Sequence, residues 1–128
     1  MKKFLAICAL MLAGVPVAAQ TLNSGDVFYC MSNQIVESGE RTNWKLTEYG
    51  TQKFKIKITR ENVNFSGDGF FKNEIMDVSF FAANLLKADY KKIGRMALIL
   101  NTQTAAKFTY GLTGLTGFIA MTADCDRF

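Results

Sequence analysis

The chain has 128 residues, with 15 basic and 11 acidic side chains, three cysteines, one proline and no histidine. Without histidine, the commonest general base and the commonest metal ligand are both missing, which excludes Ser-His-Asp and Cys-His hydrolysis. The net charge of +4 overstates how basic the working protein is, because two of its lysines belong to the first predicted element.

That element is residues 1–19, with Lys2 and Lys3 at its start, an apolar run from Phe4 to about Leu12, and small Ala18 and Ala19 at its end. This is the layout of a cleaved secretory signal. Cleavage after Ala19 leaves 13 basic residues against 11 acidic ones, a net charge of +2, so neither nucleic acid nor a membrane surface is implied as a partner. Cys8 is a poor lipidation site because the apolar run before it is too short. No later run approaches the roughly 18 apolar residues of a membrane span. The expected location is the periplasm or the medium, and residues 20–128 are expected to form a single β domain.

The first strand is predicted over DVFYCMS, followed by an irregular loop from Glu37 to Asn43. KFKIKIT then alternates lysine with Phe54, Ile56 and Ile58; after the REN turn, Val63 and Phe65 resume the apolar face, which predicts a half-buried hairpin. Asp68 and Gly69 form a turn dipeptide. Residues 80–93 are read as two short strands around Ala82 to Asn84, with a short helix as the alternative. Further strands are expected at Met96–Asn101, Ala106–Tyr110 and Gly117–Cys125, with GLTGLTG at 111–117 as the loop before the last.

Eight or nine strands joined by short links predict an all-β fold, a small antiparallel up-and-down barrel or a sandwich, lipocalin-like in architecture. Loss of Cys8 with the signal leaves Cys30 and Cys125, an even pair that in an exported protein reads as a disulfide. It would join the first strand to the last and contribute roughly 4 to 5 kcal/mol in the chain-entropy model.

The early FYC, the central hairpin and the terminal TADCDRF together resemble small secreted bacterial proteins of uncharacterised function that end in a Thr-x-x-Cys-Asp pattern. The architecture is similar to that of periplasmic lysozyme inhibitors and compact lipocalin-like barrels. Neither resemblance assigns a functional residue.

The mature segment holds ten phenylalanines, four tyrosines and one tryptophan. These either fill a narrow barrel or, at Trp44, Phe54, Phe65, Phe108 and Phe118, line a cavity for a small apolar ligand. Lys53, Lys55 and Lys57 project from one strand face about 6.6–6.8 Å apart, either as a contact surface or as a solvated guard against edge pairing. Phe54 faces away from them, which argues against base stacking and nucleic-acid binding. Leu112 and Leu115 either plug the end of the barrel or form an exposed contact. Asp124 and Asp126 read as solvated strand-end residues.

The residues thus point to a non-catalytic binding module, with no cofactor or metal, for a small apolar ligand or a protein partner. The alternative is an envelope interaction or inhibitor protein acting through the basic strand face and the 111–117 loop.

Overall fold

The computed structural model describes residues 21–66, 70–90 and 95–128. The signal segment 1–19 with Cys8, the Asp68–Gly69 turn and the last residues of 80–93 lie outside them.

Among the described residues nine strands follow in chain order: Val27–Gly39 (β1), Thr47–Tyr49 (β2), Lys53–Ile58 (β3), Asn62–Ser66 (β4), Ile75–Phe81 (β5), Leu85–Tyr90 (β6), Arg95–Asn101 (β7), Lys107–Gly114 (β8) and Gly117–Arg127 (β9). The pairs are antiparallel and sequential from β3 to β9. β1 pairs with β3 on one side and β9 on the other, closing an eight-stranded barrel, while β2 is added beside β1. This is the barrel form of the all-β expectation. The alternation in KFKIKIT becomes Phe54, Ile56 and Ile58 inward and buried, lysines outward. Burying side chains of this size stabilises by about 1.5–3 kcal/mol each.

The seam between β1 and β9 runs from Phe28 opposite Arg127 to Gly39 opposite Gly117, with Cys30 directly opposite Cys125. These two cysteines form the disulfide that links first strand to last, across a sequence separation of 95.

One expectation changes, and one alternative falls away. The predicted loop at Glu37–Asn43 is strand as far as Gly39, followed by a single 3-10 turn at Glu40–Thr42. A bulge between Ser32 and Gln34 inserts one residue, so the inward set Phe28, Cys30, Ser32 continues as Ile35, Glu37, Gly39. The period-two phase breaks there although the strand does not. Within 80–93, the described residues form strand rather than helix: Leu86 and Ala88 point inward, and Ala82 to Asn84 turn between β5 and β6. Pairing on both sides overrides the helix-forming composition.

Candidate interaction surface at the upper end of the barrel

Call the end where β1 finishes and β9 begins the upper end. Past its last pair with β3, Met31 opposite Lys53, β1 continues upward between β9 and β2. β8 extends the same sheet, with Leu112 opposite Ile119 and Gly114 opposite Gly117. β7 accompanies β8 as far as Arg95 opposite Thr113, and this extended part of the sheet forms a flap at the upper end.

The inner side of the flap borders a groove of about 1220 Å³ lined by Glu37, Arg41, Leu112, Leu115, Phe118 and Ile119 among others. Leu112 and Ile119 are half-buried against the core. Glu37 is buried, and its Oε1 accepts hydrogen bonds from Arg41 Nη2 at 2.7 Å and from the Tyr49 hydroxyl. The bond from Arg41, then that from Tyr49, holds the Glu37 carboxyl below its ordinary value, and Glu37 in turn raises the Tyr49 phenol. One carboxylate thereby ties the 3-10 turn and β2 to β1.

Gly39 organises the rim. Its N–H donates to Thr42 Oγ1 at 3.0 Å, and its carbonyl accepts from the Thr42 hydroxyl and, at 2.7 Å, from the Trp44 N–H. Glu40 N donates to the Thr116 carbonyl at 2.9 Å. A Cβ on Gly39 would lie 2.2 Å from Thr116 O, and one on Gly117, at φ 140, would lie 2.3 Å from Ser38 O. Only glycine on both strands lets the end of β1 touch the β8–β9 turn.

From this braced frame four apolar side chains face solvent: Leu115 at 101% relative exposure, Leu46 at 69%, Trp44 at 62% and Phe118 at 40%. Asn43 and Trp44 are left-handed, at φ 55 and 61. Asparagine tolerates that region, but a bulky residue there costs about 1–2 kcal/mol.

The structure separates the five candidate ligand-facing aromatics. Phe54, Phe65 and Phe108 are buried together, with ring centroids 4.9 to 6.2 Å apart. Phe71 comes in from the β4–β5 connection and stacks on Phe65 at 4.2 Å, with Phe54 at 5.0 Å and Tyr110 at 4.7 Å. Burial, and to a lesser degree Glu74, pushes the Tyr110 phenol up to about 12. Trp44 and Phe118 do not join them. Trp44 sits past the left-handed turn, and the pleat of β9 turns Phe118 outward while Ile119, Met121 and Ala123 face in.

Lys53, Lys55 and Lys57 are all exposed, opposite Met31, Tyr29 and Val27. The Lys55 ammonium lies over the Tyr29 ring at 5.9 Å from its centroid. On the other side of β1, Asp124 and Asp126 stand opposite Met31 and Tyr29. Asp124 pairs with Lys107, whose donated bond lowers its carboxyl below the ordinary value. The lysine face is therefore one column of a strip that carries both signs of charge, bordering a groove of about 530 Å³.

Of the candidate contact residues, Leu115 lies on the rim and Leu112 on the groove wall; the three lysines lie on the outer face. Glu37, Arg41, Tyr49 and the Gly39–Gly117 contact were missed. The four-residue spacing of Glu37 and Arg41 was their only sequence signal, and it matches many plain ion pairs. No helix among the described residues is long and apolar enough to cross a membrane. Comparison with known protein families, with curated proteins and with solved structures finds no match to this chain.

Proposed function

We propose that this chain is an exported binding module, without chemistry of its own, that engages a protein partner through the upper end of its barrel. The observation that carries the proposal is the pairing of Trp44 and Leu115, two exposed apolar side chains held out from one rigid frame around Gly39. Pre-organised aromatic and aliphatic anchors are what a tight interface uses, because little freedom is lost when they dock. Left exposed, they bring no stability that would offset the left-handed conformation of Trp44.

Three other readings draw less support. Around Phe54, Phe65 and Phe108 the space that an apolar ligand would need is occupied by Phe71. The three lysines share their strip with Asp124 and Asp126 across a single intervening strand, which weakens attraction to a polyanion. In the described lining of the groove, Glu37 and Glu40 stand beside Arg41, which is not the basic face of a membrane-surface tip.

Trp44 is the only tryptophan and so reports on its own surroundings. The test places a photo-crosslinking phenylalanine analogue at Leu115 and, separately, at Lys57, in cells exporting the protein. The expected result is one discrete adduct from position 115, none from 57, and loss of the adduct in Trp44→Ser. Adducts of equal strength from both positions would overturn the reading. So would a blue shift of Trp44 emission on phosphatidylglycerol vesicles without any protein adduct.

A further inference from the structure

The groove beside the anchors carries information about what the partner presents. Its floor, Leu112 and Ile119, is apolar and half-buried. Set into it is a buried carboxylate, Glu37, whose side chain is 11% exposed while that of its counter-ion Arg41 is 72% exposed. A low-dielectric wall strengthens the field of a charge fixed within it. The balancing cation sits on a long side chain in solvent, where an ion pair contributes little and is readily exchanged. Glu40 also lines the groove, so the charged side chains of its described lining are two carboxylates and the Arg41 guanidinium.

Resting on the protein-docking reading above, we infer that the groove receives a lysine or arginine side chain, flanked by apolar residues, from an extended segment of another protein. The incoming cation displaces Arg41 from Glu37, and its apolar neighbours cover Leu112 and Ile119. A second copy of this chain is a poor occupant. It would bring its own Glu37 and Glu40 against the same two, and like charges across an interface oppose association.

The probe is a phage-displayed library of random linear dodecapeptides, panned on the disulfide-bonded protein. Enriched peptides are then measured against the wild type, Glu37→Gln and Arg41→Gln. The expected outcome is a consensus of lysine or arginine between apolar residues, with affinity about tenfold or more weaker for Glu37→Gln and tighter for Arg41→Gln. Opposite shifts cannot come from general loss of folding. Peptides that lack a basic residue and bind all three proteins alike would overturn this inference while leaving the docking reading intact. Enrichment no better than on Leu115→Asp would overturn both, and a stable dimer of the free protein would replace the proposed occupant with a second copy.

Discussion

The two ends of the barrel are built on opposite plans. At the lower end, apart from the exposed terminal Phe128, the bonds draw side chains inward. Leu22 is buried, with its N–H donating to Ala83 O at 2.7 Å, and Arg127 bonds Thr21 O at 2.6 Å, pairs with Asp26 at 3.3 Å and lies over the Phe28 ring at 5.4 Å. The disulfide also belongs to this half, since Cys30–Cys125 is the third register pair counted from the lower end of the seam. At the upper end equally specific bonds around Gly39 serve to hold apolar side chains out. Closing an end needs only burial, whereas presenting Trp44 and Leu115 needs a frame that is stiff although its surface is not buried.

The contrast is sharpened most by opening the disulfide. Replacing both Cys30 and Cys125 by alanine should lower stability by about 4 to 5 kcal/mol, read from urea unfolding, while Trp44 emission in the remaining folded protein stays unchanged. Next in size is Gly39→Ala, whose Cβ meets backbone 2.2 Å away. It should cost about 2–4 kcal/mol and raise amide exchange at Glu40 and Trp44 more than at Leu22.

Acid should divide the ends as well. Because the folded Glu37 carboxyl lies below its ordinary value of 4.5, its contribution is complete above that value and is lost as pH falls through the folded one. As pH falls below 4.5 and through that lower folded value, amides of β2 should therefore lose protection, while those bonded at the lower end through Leu22 and Phe128 keep theirs longer. Loss of protection at both ends together would remove the distinction. The smallest effect is a gain: Trp44→Gly relieves the left-handed strain and should stabilise by up to about 1 kcal/mol, while abolishing the adduct from position 115.

Most of the barrel was legible because period-two alternation survives in KFKIKIT, Asn62–Ser66 and Lys107–Tyr110. The disulfide was legible because removal of Cys8 leaves a single pair. Alternation failed at the Ser32–Gln34 bulge, where one inserted residue reverses the phase and made the second half of β1 look like loop. In β9 the alternation itself places Phe118 outside, since steps of two from inward Cys125 reach Ile119. The bulk of Trp44 suggests burial, but bulk carries no signal of a left-handed turn. The Gly39–Gly117 approach was invisible for another reason, because it depends on register between strands far apart in the chain.

That register has a consequence for assembly. From β3 to β9 each strand meets its neighbour through a short connection, so those contacts can zip locally, whereas the β1–β9 seam must bring together segments 95 residues apart. By the contact-order relation such a closure is slow and comes late. Until it happens, β1 and β9 are both open edges, available for pairing with other chains. The Cys30–Cys125 bond, once formed, makes that closure irreversible under oxidising conditions and so guards against association during folding before it adds anything to the finished protein.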